Sequence, residues 1–176
     1  DLTFNYFIQL IILMSEMAKD EIRNFLLLGT FTGKLGTISK NGTPHVVPIW
    51  YTLDEEDNII FNTGKNSVKA KNIQRDNRVR LCVDDQVPLY SFVIIDGVAE
   101  INSNEPNELF KWAKIIAARY MGKDKAEEYG RRNSSEEELL IKIKPIKVIG
   151  QKDIAGWKFN YFFINKLLFH KLMNSE

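Results

Sequence analysis

The chain is built from β-rich runs separated by short turn signals, and that succession constrains its fold more than any other feature. "KLGTISKNGTPHVVPIWYTL" sets Asn41-Gly42 between two such runs, where the pair supplies the two positive-φ residues of a tight hairpin turn. "DEEDN" at 54–58 is a second turn and "IIFNT" a third strand. "RVRLCVDD", "LYSFVIIDGVAEI" and "EELLIKIKPIKVIGQ" are further strands by content, although the last alternates poorly.

Helical patterns interrupt this series in three places. "MAKDEIRNFLLLG" carries Ile22, Phe25, Leu26 and Leu28 near helical spacing, and Gly29 can close it. "SVKAKNIQRD" has few apolar residues, and Val68, Ala70 and Ile73 give it one buried edge. "NSNEPNELFKWAKIIAARYMG" is the clearest helix. Ser103 or Asn104 can cap it, Pro106 suits its first turn, Gly122 follows its end, and Leu109, Trp112, Ala113, Ile116 and Tyr120 share a face. "KDKAEEYGRR" adds a turn or two. The order is helix, three strands, helix, two strands, helix, strand. Adjacent strands joined by short turns predict a mainly β fold, an antiparallel barrel with helices packed outside.

Composition narrows the function. A length of 176 residues suits one domain. With 24 Lys+Arg against 23 Asp+Glu the net charge is +1, so no global attraction to nucleic acid or anionic lipid exists, and any anion site must be local. A single cysteine, Cys82, excludes an intrachain disulfide and a multi-cysteine metal site, while His45 and His170 lie far apart without ligand spacing, so no metal site is expected. A reducing, cytoplasmic setting is expected. The apolar run "DLTFNYFIQLIILM" is short of the roughly 20 residues of a membrane span, and no Lys or Arg precedes it. The tail "KFNYFFINKLLFHKLMNSE" is aromatic, with Phe159, Phe163, Leu167 and His170 on one helical face, but it lacks a segregated basic face. Both ends are read as packing segments rather than membrane anchors, giving an extension over 1–16, a domain over 17–157 and a tail over 158–176.

The local anion site falls in "FNTGKNSVKAKNIQRDNRVRL", residues 61–81. A strand ends at Thr63, a glycine-containing loop follows, and a helix starts near Asn66 or Ser67. Unpaired backbone N–H groups and the macrodipole make that end positive. Lys65 and Lys69 stand four apart, and Thr63 and Ser67 add hydroxyls, so the segment describes a phosphate pocket as readily as a solvated helix. Lys71 and Arg75 form a separate, solvated pair. "GTFTGKLGT" has neither the spacing nor the context of a dinucleotide fingerprint; its glycines turn the chain into the first strand. Pro44 and Pro48 mark their strand as an edge or an interrupted one, able to offer backbone groups to a ligand. His45 is structural, and Trp50 and Trp157 are core by default.

The span "GTPHVVPIWYTLDEEDNIIFNTGKNSVKAKNIQRDNRVRLCVDD…VIIDGVAEI" resembles the pyridoxamine 5'-phosphate oxidase-like flavin-binding split barrels, closest to their small deazaflavin- or FMN-dependent oxidoreductases, over roughly residues 17–157. The resemblance implies a six-stranded antiparallel split barrel (the FMN-binding split barrel), a homodimer, and a cofactor in a groove at the dimer interface. It implies that Val47, Pro48, Ile49 and Trp50 touch the isoalloxazine edge. It also implies that Asn62, Thr63, Ser67 and Lys69, with Lys65 between, hold the ribityl phosphate. Phe92 stands where a flavin-contacting Gln is common, Val68 where pyridoxamine phosphate oxidases usually carry Arg, and their Arg-Leu-x-Pro segment is absent, which argues against oxidation of pyridoxamine phosphate itself. Trp157 could reach the partner subunit's cofactor. The function implied is hydride transfer to or from a small organic substrate by FMN or coenzyme F(420); the alternative is a non-catalytic flavin- or haem-binding module. Tyr90 and Tyr51 are candidate acids by chemistry alone.

Overall fold

The computed structural model describes residues 16–103 and 105–156. Helix α1 (Lys19–Leu27) leads into strands β1 (Gly33–Ile38), β2 (Pro44–Ile49), β3 (Thr52–Leu53) and β4 (Ile59–Gly64). Helix α2 (Val68–Arg75) and strands β5 (Arg78–Asp84) and β6 (Phe92–Ser103) come next. Helices α3 (Pro106–Met121) and α4 (Ala126–Arg132), strand β7 (Glu138–Gln151) and a short 3-10 turn complete the order. The extension over 1–15 and the tail over 157–176, with Trp157 and His170, lie outside the described residues. Glu16 bridges to Gln151, and the Met17 N–H bonds to the Gly150 carbonyl at 3.0 Å.

The seven strands of the described residues form one antiparallel sheet in the order β2-β1-β5-β6-β7-β4-β3. Strands β2 and β3 occupy opposite edges, yet only Trp50 and Tyr51 separate them in the chain. The sheet must therefore curl until its two edges meet at that dipeptide. This is the split barrel, with seven strands rather than six because the run from Pro44 to Leu53 breaks there. Pro44 and Pro48 fall on edge strand β2, where no ladder partner needs their missing N–H.

The hairpin between β1 and β2 is looser than the Asn41-Gly42 pair suggests. Only Gly42 has positive φ, at 85°. The Gly42 N–H closes a turn onto the Ser39 carbonyl at 2.9 Å, and the Asn41 side chain accepts from the Thr43 N–H at 3.1 Å. A turn that ends in one left-handed glycine is the longer hairpin alternative. Gly33 and Gly36 lie within β1 rather than ahead of it; a Cβ on Gly33 would stand 2.6 Å from a Leu81 methyl.

Side-chain alternation builds the core. Ile59 and Phe61 look into the barrel beside Leu35, Tyr51, Leu81, Val83 and Ile95, while Ile60 looks outward onto Leu109 of α3 and Leu140. Helix α3 thus packs against β4, burying Leu109, Ala113, Ile116 and Ala117, and each large apolar side chain so buried contributes about 1.5–3 kcal/mol. The N-cap position of α3 falls on Glu105 rather than at the expected positions 103 or 104, while Pro106 opens the helix and Gly122, at φ 95°, ends it. In α2 the buried residues are Ala70, Asn72 and Ile73, and Val68 is exposed, because the helix begins one residue after Ser67 and turns Val68 outward. Leu28 is also exposed, since α1 ends before it. The poor alternation of β7 has a local cause. Asp96 pairs with Lys147 but Gly97 pairs with Pro145, which leaves Ile146 bulged and solvent-facing.

Candidate functional site

Where the two sheet edges meet, the chain leaves a cavity of about 350 Å³. Pro48, Ile49 and Trp50 line it from the end of β2, Asn62, Thr63 and Gly64 from the end of β4, and Lys69 from α2. Ala113 and Ile116 supply an apolar wall from α3, and Asn133 and Glu138 close it from the loop after α4 and the start of β7. Six residues read from the sequence meet here: Pro48, Ile49, Trp50, Asn62, Thr63 and Lys69.

The polar groups of this cavity are arranged to receive a ligand. The Asn62 amide nitrogen donates to the Asn133 carbonyl at 3.3 Å, which fixes the amide's orientation, and its Oδ1 is buried with no hydrogen-bond partner. A buried acceptor left this way is costly unless a ligand or water donates to it. The Thr63 and Ser67 hydroxyls are 3.1 Å apart, and Ser67 caps α2 by accepting from the Ala70 N–H at 3.2 Å. Two hydroxyls sharing one such contact keep one O–H to give to a ligand oxygen. Burial pulls the Lys69 ammonium below its ordinary range, partly offset by the charge of Glu138. Burial pushes the Glu138 carboxyl up, partly offset by Lys69.

Trp50 is 37% exposed and stacks on Tyr120 with ring centroids 5.1 Å apart and planes 4° from parallel. The Tyr120 hydroxyl donates to the Phe31 carbonyl at 2.8 Å. Arg119 donates to the carbonyls of Leu26 at 2.7 Å, Gly29 at 2.9 Å and Tyr51 at 3.1 Å, so α3 clamps the Trp50-Tyr51 crossing that forms one wall.

Other predicted site residues lie apart from the cavity lining. Lys65 pairs with Glu137 at 2.6 Å; it precedes the helix, so its spacing from Lys69 is not a helical turn and the two ammonium groups do not converge. Ser67 is occupied as the α2 cap, and Val47 pairs with Leu35 farther up β2. Phe92 opens β6 opposite Gln151, whereas Asn62 pairs with Leu140 near the other end of β7. Tyr51 is fully buried, its hydroxyl donates to the Leu26 carbonyl at 2.6 Å, and burial pushes its pKa up to about 12, so it is structural rather than an acid. Tyr90 is exposed and outside the lining. His45, on β2, pairs with Thr37 of β1 and is also outside it. Among the described residues no group of three potential metal ligands occurs, and no helix is long and apolar enough to cross a membrane. Sequence reasoning missed Glu138, Asn133, Ala113 and Ile116, whose only local signals are those of a strand start, a helix end and an apolar helix face.

Comparison with known proteins matches residues 18–151 to the family model described as pyridoxamine 5'-phosphate oxidase. A 5a,11a-dehydrotetracycline/5a,11a-dehydrooxytetracycline reductase of Streptomyces rimosus is 37% identical over 76 residues, covering 39% of this chain and 53% of that protein. The chain thus spans about half the length of this curated relative. Among solved structures, the conserved hypothetical protein Rv2991 of Mycobacterium tuberculosis has a TM-score of 0.70 at 26% identity, covering 80% of this chain and 88% of the other. An F(420) reductase has a TM-score of 0.57 at 23% identity, covering 71% and 94%, a likeness of fold.

Proposed function

The chain belongs to the pyridoxamine 5'-phosphate oxidase family, and from that premise we propose that it is a flavin- or deazaflavin-dependent oxidoreductase acting on a small organic molecule. The cofactor phosphate is held in the cavity by Lys69 and the Thr63 hydroxyl, which Ser67 contacts from behind at 3.1 Å as the α2 cap. The ring lies against Pro48, Ile49 and Trp50. The observation that carries this reading is the convergence on one cavity of a half-buried lysine, a spare hydroxyl hydrogen and the unpartnered Asn62 Oδ1. An anion with hydroxyl groups beside it, such as a ribityl phosphate, satisfies all three.

A bound flavin or deazaflavin supplies the hydride chemistry. The chain's own residues bind and orient it. The Trp50–Tyr120 stack holds an aromatic edge at the mouth, and the Ala113 and Ile116 wall keeps water from the inner side. The 37% identity to a tetracycline-type reductase supports a reductive direction. This reading includes a second copy of the chain covering the groove, which light scattering of the purified protein checks.

The deciding experiment titrates the purified protein with FMN and with F(420), following tryptophan fluorescence, for the wild type and Lys69→Ala. Saturable binding that weakens at least about tenfold in Lys69→Ala is expected, because a charged hydrogen bond to phosphate is worth about 1.5–3 kcal/mol. Binding of neither cofactor, or equal affinity in a folded variant, refutes the assignment.

A further inference from the structure

The cavity that holds Lys69 also holds a carboxylate, and that is a poor design for a doubly charged anion. Glu138 opens β7 directly opposite Gly64 in the register, and a Cβ on Gly64 would stand 3.7 Å from its Oε1. The strand pairing therefore places the carboxylate at the end of β4, in the lining that Lys69 enters from α2. No direct ion pair joins the two among the described residues, so each presents its charge to the space between them.

The remaining charges nearby are committed elsewhere. From the β4–α2 loop, Lys65 is tied to Glu137 at 2.6 Å. From α3, Lys114 pairs with Glu127 at 2.6 Å, and Arg119 is spent on backbone carbonyls. From α4, Arg131 pairs with the same Glu127 at 2.6 Å, and Arg132 lies over the Tyr129 ring. Farther along β7, Lys142 pairs with Asp54 at 3.2 Å. Asn62, Thr63 and Asn133, which also face Glu138, are uncharged. The lining thus carries one cation and one anion.

A phosphomonoester such as FMN carries close to two negative charges near neutral pH, since its second ionisation lies near pH 6. A phosphodiester carries one. The second charge is attracted by Lys69 and repelled by Glu138, so the carboxylate cancels the advantage an ammonium alone would give the dianion, while the dianion's larger hydration must still be given up in a half-buried site.

We propose that Glu138 is a charge-selectivity residue: it makes this cavity accept a phosphodiester monoanion, the class of handle carried by F(420), in preference to a phosphomonoester dianion such as FMN. The proposal rests on the reading that the cavity holds a cofactor phosphate. Glu138 cancels the extra attraction that Lys69 alone would give to the second charge.

The test uses three probes on whichever ring system the protein binds: the ring with its free ribityl chain, its 5'-phosphate, and the methyl ester of that phosphate. The last two differ by one charge and one methyl group. Dissociation constants are measured at pH 8 by fluorescence for the wild type, Glu138→Gln and Lys69→Ala. The wild type is expected to prefer the methyl ester over the phosphate by about tenfold. Glu138→Gln is expected to tighten the phosphate by about the same factor and to change the ester less than about threefold. A wild-type preference for the free phosphate overturns the proposal, as does a ratio that Glu138→Gln leaves unchanged. If Glu138→Gln does not fold, the wild-type ratio decides alone, and an ester preference below about threefold counts against it. Failure of the underlying reading looks different: all three probes then bind equally, or not at all, and Lys69→Ala changes nothing.

Discussion

Replacing Arg119 by alanine should loosen the crossing that joins the two edges of the barrel. Arg119 donates to the backbone carbonyls of Leu26, Gly29 and Tyr51 at 2.7, 2.9 and 3.1 Å and to that of the exposed Leu28 at 3.5 Å, and its guanidinium lies 4.7 Å from the centroid of the buried Tyr51 ring. The Leu26 carbonyl keeps a second donor, the Tyr51 hydroxyl at 2.6 Å, and the exposed Gly29 carbonyl can turn to water. These two losses are therefore small, about 0.5–1 kcal/mol each. The Tyr51 carbonyl loses a charged donor, worth about 1–2 kcal/mol, and the cation–π contact about 1 kcal/mol more. The sum is about 3–5 kcal/mol, which shifts a urea midpoint by roughly 1.5–2.5 M at a slope near 2 kcal/mol/M. Urea unfolding followed by tryptophan emission measures it, with the slope expected to hold. Arg119→Lys should recover less than half, because one ammonium cannot span these diverging carbonyls. A loss below about 1 kcal/mol in the alanine variant would show that the clamp is ornamental and the reasoning wrong.

Lys65→Ala should change cofactor affinity less than about threefold, against tenfold or more for Lys69→Ala, because Lys65 is already paired with Glu137 at 2.6 Å; the same titration reads both. Gly97→Ala should destabilise by about 1–3 kcal/mol, since the new methyl would meet Ile143 at 2.6 Å and the Lys144 carbonyl at 2.8 Å beside the β7 bulge; thermal unfolding checks it. The hydrogen-bonded Arg78 guanidinium holds Asp76 down to about 2 from an ordinary 3.8. A depressed carboxylate stabilises the folded chain above its unfolded pKa and loses that contribution as pH falls through the folded one. The stability gap between wild type and Asp76→Asn should therefore be constant above pH 4 and close between about 4 and 2; a gap unchanged at pH 2 contradicts the pairing.

The alternation of β-rich runs and turn residues was sufficient to predict an antiparallel barrel with outer helices, because hairpins and helix faces are written in contacts a few residues apart. The segment from Asn62 to Lys69 was legible for the same reason: strand end, loop, capping serine and lysine are neighbours in the chain, and Asn62, Thr63 and Lys69 do line one cavity. Tertiary structure decided everything that depends on register or on pairing between distant strands. The β4–β7 ladder sets Glu138 opposite Gly64 and so puts a carboxylate beside Lys69, while the adjacent Glu137 takes Lys65 away. The bulge at Ile146 hides the alternation of β7 from any fixed-period reading. The break at Trp50-Tyr51 exists because a curled sheet must carry the chain from one edge to the other, and Arg119 holds that break from a helix far along the sequence. Local patterns choose the elements; which charges end up sharing a half-buried space is settled only when the sheet closes, since a charge's neighbours there come from register rather than from sequence distance.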